Sequence, residues 1–229
     1  GEPFSFQAED GTLKHWMWAP VGDTKEDELM NLLQSNGIDA SELEPHAFAQ
    51  LHDEVYTRFL SVLEQQRGEL VRTVGIIKVW LHVSILNVDH VLTVKTKFRK
   101  GRYESGDKDR PISMRLRVDQ DWEDGVGDAL STRLGLPLDI QAKALTLRRS
   151  SHRLSEEIGY SKSYPGLKTA YMVNEVNVYI IDPQIVNGLI GLPSGTEFAF
   201  ARREDYQGPE TGEYVVTHFQ WTTKDDLEQ

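Results

Sequence analysis

Residues 121–137 read DWEDGVGDALSTRLGLP, and this stretch decides the fold. Asp121 stands where a helix N-cap belongs, since a carboxylate there can accept from the first unpaired backbone N–H groups. Asp124, three residues on, supplies the second carboxylate of a start that resembles a capping box. Trp122, Val126, Leu130 and Leu134 recur at every fourth position, so one face of the helix is apolar. Gly135 ends the helix, and strands recur after Pro137.

Strand-like segments flank this helix on both sides. Upstream, residues 70–83 are rich in Val and Ile. In residues 90–98, Val91, Thr93, Lys95 and Lys97 alternate with Leu92, Val94, Thr96 and Phe98. A charged loop with Gly101 and Gly106 follows over 100–110, then a short strand over 112–118. Downstream, strands are expected at 142–147, 169–181 and 214–221. They are separated by a long polar loop at 149–168, a Gly- and Pro-rich stretch at 183–195 and a turn at 204–212, and residues 222–228 begin a short helix. Strands on both sides of a helix fit an α/β (α+β) fold.

The first part of the chain has a different character. Residues 1–22 carry Phe4, Phe6, Trp16 and Trp18 with Pro3 and Pro20 but no sustained period, as in an extended arm packed on this chain's own body or on a partner. Trp16 and Trp18 alternate, so both can face one side of a short strand. A helix is predicted from Thr24, with Glu26, Asp27 and Glu28 in its first turn, Leu29, Leu32 and Leu33 on its apolar side, and Asn36-Gly37 at its end. Pro45 opens a second helix in which Phe48, Leu51, Val55, Phe59, Val62 and Leu63 form an apolar stripe ending near Gly68. The expected division is an N-terminal arm and helical extension over 1–67 and an α/β domain over 68–229.

With 229 residues, 39% of them hydrophobic and 27% charged, the chain can bury an ordinary core. A net charge of −11 argues against wrapping nucleic acid with the whole surface, though a local basic patch stays open. There are no cysteines, which removes disulfides, thiolate metal sites and cysteine nucleophiles. The longest apolar run is broken by Lys78, His82 and Asn87, so no span is expected and the chain reads as soluble and intracellular. Because it opens on Gly1, it is expected to be a processed or recombinant form from which any targeting segment has gone.

The order of a strand pair, a third short strand, a helix ending in Leu134-Gly135-Leu136-Pro137, further strands, and a last strand followed by Trp221 and acidic residues resembles a Nudix domain over 68–229. Members of that family carry a loop–helix–loop motif with a Gly, a Glu, then Arg-Glu-apolar-x-Glu-Glu-x-Gly-apolar. Anchored on Gly135 and Leu136, the motif also matches at Leu130. Elsewhere Met114 stands at the first Gly, Gln120 at the first Glu, Asp128 and Ala129 at the Arg-Glu pair, and Thr132 and Arg133 at the Glu-Glu pair. Hard divalent cations need several converging carboxylate oxygens, and Arg133 would oppose the cation itself. The resemblance therefore implies the family's fold, a mixed sheet flanked by helices with an N-terminal helical extension, without the family's metal-dependent hydrolysis.

The leading expectation is a non-catalytic Nudix-like domain acting as a binding or structural subunit of a larger assembly, with other protein chains as partners and no cofactor. One alternative is a divergent metal-dependent hydrolase of nucleoside-diphosphate type. It would hold Mg²⁺ through Glu123, Asp124 and Asp128, helped by Glu104, Asp107, Glu156 or Glu157. Asp124 and Asp128 share a helical face, although an acidic first turn that caps the helix and complements its dipole is the better account of them. A second alternative is a nucleotide or anion sensor without turnover.

Candidate ligand-binding residues are few. Arg148 and Arg149, in the run Arg148-Arg149-Ser150-Ser151-His152-Arg153, can dock phosphate or an acidic partner, or start a solvated loop. Tyr160 and Tyr164 flank a predicted turn and can stack on an aromatic ligand or anchor the turn. Arg115 and Arg117 alternate along one strand, where they meet an anion or solvent. No P-loop, nucleophile elbow or His-Glu-x-x-His motif is present.

Overall fold

The computed structural model describes residues 4–7, 13–16, 25–39, 43, 45–99, 101–104, 110–161, 163–203 and 214–227, and Trp18, Asp107 and the whole 204–212 turn lie outside these. The expected fold is present: a mixed sheet flanked by helices, with helices near the N-terminus. The chain divides into two compact units, one of residues 1–72 with 159–169, the other of residues 73–158 with 170–229. No helix of the described residues is long and apolar enough to cross a membrane.

In the first unit, β1 (Phe4–Gln7) and β2 (Leu13–Trp16) form an antiparallel hairpin with Phe4 opposite Trp16. Helix α1 (Lys25–Ser35) follows the predicted span and buries Leu29 and Leu33 against Leu43, Leu51 and Leu70. The second helix is shorter than its apolar stripe implied. Helix α2 (Pro45–His52) widens into a π-helical turn over Asp53–Thr57, Phe59 takes a left-handed φ of 52°, and the chain turns into β3 (Val62–Gln66). Two causes end the helix. Glu54, at the wide turn, is fully buried and bonded to Arg72, and Arg67-Gly68, at φ 54° and 85°, makes the two-residue turn of a hairpin. Val62 and Leu63 thus belong to a strand paired with β4 (Glu69–Ile85).

In the second unit, β4 continues into the sheet with β5 (Val88–Arg99), β6 (Arg102–Glu104), β7 (Ile112–Arg115), β8 (Leu145–Tyr160), β9 (Lys168–Ile180), β10 (Phe198–Arg203) and β11 (Tyr214–Thr223). The main order is β10-β11-β5-β4-β9-β8. The first four strands of that order pair antiparallel. Between β4 and β9 the partners rise together, Trp80 Nε1 donating to Glu175 at 2.6 Å and His82 meeting Asn177 at 2.9 Å, so that pair is parallel and the sheet mixed.

Helix α3 (Trp122–Leu134) lies where the capping signals put it. The Asp121 carboxylate accepts from the Glu123 N–H at 2.7 Å, and Val126, Ala129, Leu130 and Leu134 join Ile77, Leu81, Leu92 and Phe219 in the core. Gly135 closes the helix at φ 68°, and a Cβ there would stand 2.6 Å from the Phe200 ring. Gly135→Ala is expected to cost about 2 to 4 kcal/mol, the sum of left-handed strain and overpacking. Urea unfolding checks it; a cost below about 1 kcal/mol would show that Phe200 moves aside freely.

Three expectations downstream change. Residues 138–144 form helix α4 (Leu138–Ala144), so the strand expected at 142–147 begins only at Leu145. The polar run expected as a loop from 149 is β8 up to Tyr160, because β9 gives it partners: the Asn177 N–H donates to Ser151 Oγ at 2.9 Å, and His152 bonds Asn174 at 2.9 Å. Cross-strand pairing overrides composition here. Strand β10 was not expected at all, although Phe198 and Phe200 alternate with Ala199 and Ala201. The chain closes with α5 (Lys224–Leu227), the short helix expected there.

Candidate functional site

Strand β4 is forked. From Leu81 to Ile85 it pairs with β5, and from Ile76 to Val79 it pairs with β7 instead, so β5 diverges and a cleft opens between β5, β7, β11 and the end of α3. Arg110 spans the opening, its carbonyl accepting from the Val94 N–H at 2.8 Å. Val94, Pro111, Ile112 and Phe219 supply apolar walls, and Ser113 and Thr217 supply polar ones.

Lys97 reaches this cleft through a β-bulge. Phe219 pairs with Val94, but His218 pairs with Thr96, so Lys95 is the extra residue. The slip exchanges the two faces of β5, and Lys97 now stands opposite Thr217, on the face that carries Val94 before the bulge. Strict alternation through residues 90–98 puts Lys97 on the other face, which is why the sequence reading missed it.

Arg133, in the last turn of α3, donates from Nε to the Ser113 carbonyl at 3.1 Å and lines the same space. Lys78 completes the lining and makes a 3.5 Å ion pair with the exposed Glu157. The cavity, about 350 Å³, is thus bordered by Lys78, Lys97, Arg110 and Arg133, and among the described residues of its lining there is no carboxylate. Burial holds the Lys97 ammonium below the usual lysine range, Arg133, Arg202 and Arg110 push it further down, and Glu104 opposes them. A group whose neighbours disfavour its charge is poised to gain from a bound anion.

The described lining of the cleft is basic. No family model matches the sequence, and no curated protein matches it. Among solved structures the chain is similar to a C. elegans Ap4A hydrolase, at 10% identity and a TM-score of 0.33, covering 68% of this chain and 83% of that one. A binary complex of a C. elegans Ap4A hydrolase matches at 10% identity and 0.28, over 45% and 66%. A T. brucei MERS1–RNA complex matches at 12% identity and 0.30, and this chain spans about half of that one, 53%. Likeness at this level assigns no family.

The residues singled out from the sequence are dispersed. Arg115 ends β7 and is half-buried, whereas Arg117 lies past the strand, in a turn where its carbonyl accepts from the Gln120 N–H at 3.1 Å, so the two do not share a strand face. Arg148 is exposed on β8. Arg149 is engaged by Glu123 through three hydrogen bonds of 2.7 to 3.0 Å. Tyr160 is exposed at the end of β8, and Tyr164 is buried, its ring 4.8 Å from the Arg72 guanidinium carbon.

Of the carboxylates considered for Mg²⁺, Glu123, Asp124 and Asp128 line one surface pocket together with Arg117, but two of the three are already engaged. The Arg149 hydrogen bond holds Glu123 below the usual carboxylate range, and Gln120 Nε2 donates to Asp128 at 2.7 Å. Asp124 and Glu156 are exposed, and Glu157 serves Lys78. Among the described residues, no group of three or more His, Asp or Glu is placed to hold a metal ion. Ala129, aligned with a motif glutamate, is fully buried in the core.

Proposed function

We propose that the second unit is a Nudix-like module that binds a phosphate-bearing anion in the forked cleft, without turnover, as a subunit of a larger assembly. The convergence of Lys78, Lys97, Arg110 and Arg133 on one cavity carries this reading. Guanidinium groups match phosphate oxygens in pairs, the lysines add point charges, and the apolar walls lower the local dielectric so that each contact counts for more. Arg133, the residue that would repel a catalytic cation in the aligned motif, serves here as an anion ligand.

Inorganic pyrophosphate without metal is the first probe. At a hundredfold excess over Kd it is expected to stabilise the protein by about 2.7 kcal/mol. The melting temperature would then rise by about 5 to 10 °C, an effect that weakens as salt is added. Incubation of nucleoside diphosphates with Mg²⁺ or Mn²⁺ is expected to give no product. Turnover abolished by Asp124→Asn would sink the non-catalytic reading, and the absence of any thermal shift would sink the anion site.

A further inference from the structure

β8 closes one end of the sheet, with β9 on one side and, among the described residues, no strand paired on the other. An edge of this kind presents unpaired N–H and C=O groups, which proteins usually keep short or cover. This one is long, 16 residues. Every residue from Arg153 to Ile158 is exposed, including Leu154 at 58% and Ile158 at 59%, which lie on the same strand face. Two large aliphatic side chains so placed mark a surface that gains by being covered.

The charge order of the strand says what fits it. Arg148, Arg149 and Arg153 come first, and Glu156 and Glu157 follow. A parallel in-register copy would set Arg153 beside Arg153 and Glu156 beside Glu156. An antiparallel copy reverses the order and can set Arg153 against Glu157, while Arg149 is held by Glu123 of its own chain. Charged residues on an edge commonly serve only to keep strands apart, but that role does not require the two signs to be sorted along the strand.

We propose that β8 pairs antiparallel with β8 of a second copy of this chain, about a two-fold axis at Ser155. In this register Arg153 stands directly opposite Glu157 of the partner subunit, twice by symmetry. Leu154 lies diagonal to Leu154 and Ile158 of the partner subunit, within reach across paired strands. The small Ser155 on the axis lets the backbones approach. Glu157 already meets Lys78 at 3.5 Å, a contact between partly exposed groups worth little alone, and it can serve both cations. The interface is isologous, as closed two-fold assemblies require.

The chain has no cysteine, so a single introduced thiol reports cleanly. Under mild oxidation Ser155→Cys is expected to form a disulfide with its own copy, because residues opposed on the axis lie within disulfide reach. Leu138→Cys, at a 63% exposed position on α4, is the control and should react far more slowly. Light scattering of the unmodified protein should give twice the monomer mass. Arg153→Glu should weaken self-association about tenfold, and adding Glu157→Arg should restore it. A monomer mass throughout the micromolar range overturns the proposal, as does equal cross-linking of the two cysteine variants. An edge built for a different protein's strand would give that monomeric result.

Discussion

Glu54→Gln is expected to lower the unfolding free energy by about 3 to 5 kcal/mol, because it leaves the Arg72 charge buried without its counter-ion. Glu54 is 0% exposed and Arg72 1%, and the Arg72 Nη2 group donates to Glu54 Oε2. Gln50 Nε2 donates to the other carboxylate oxygen at 2.9 Å, and the Tyr164 ring lies against the guanidinium. Desolvating two charges is costly, and these contacts help to offset it. Replacing both partners, as Glu54→Leu with Arg72→Met, removes the desolvation along with the attraction and should bring the protein back to within about 1 to 2 kcal/mol of its parent. Urea unfolding of the single and double variants checks both values. A single-variant loss below about 1 kcal/mol would mean that water reaches the pair.

The same pair explains one limit on what the sequence discloses. Spacing by three and four through Phe59, Val62 and Leu63 is sound evidence for a helix while only local terms act. Here the local terms lose to a carboxylate drawn inside toward an arginine 18 residues away and to the Arg67-Gly68 turn. By contrast α3 was legible to the residue, because its start and stop, Asp121 and Gly135, are chemistry that the chain performs on itself within one helical turn. β8 was hidden for a third reason. An edge strand needs no apolar alternation, and its evidence lies in the partner strand β9.

The candidate site was legible in one residue of four. Arg133 stands out because the aligned Nudix motif has a glutamate at that place, and there the sequence speaks of a lost cation, not of a gained anion. Lys78 read as an interruption of an apolar run, and Arg110 as part of a solvated loop. Lys97 depended on a one-residue bulge that no composition announces, and a bulge of that kind re-aims every side chain beyond it.

Lys97→Met is expected to weaken pyrophosphate binding about 10- to 100-fold, and Lys97→Met with Arg133→Met about a thousandfold, since each charge-assisted contact contributes roughly 1.5 to 3 kcal/mol. Stability should move the other way for the lysine. In the folded, ligand-free protein the Lys97 pKa lies below its ordinary value of 10.5, so at neutral pH the charged group is less favourable than in the unfolded chain. Removing the charge relieves that cost, and Lys97→Met should unfold at higher urea than the parent at pH 7. Between the depressed value and the ordinary one, the unfolded chain binds more protons than the folded one, so the parent gains stability as pH rises through that window. The variant should lack this slope. Pyrophosphate affinity of the parent should fall across the same window, as the ammonium loses its proton. Arg133→Met alone should not share the stability gain in full, because its guanidinium also holds the Ser113 carbonyl at the rim and complements the end of α3. A purely structural Lys97 would lose stability on substitution and leave affinity unchanged. Opposite signs in the two measurements are what a group held in an unfavourable charge state for the sake of an anionic ligand must give.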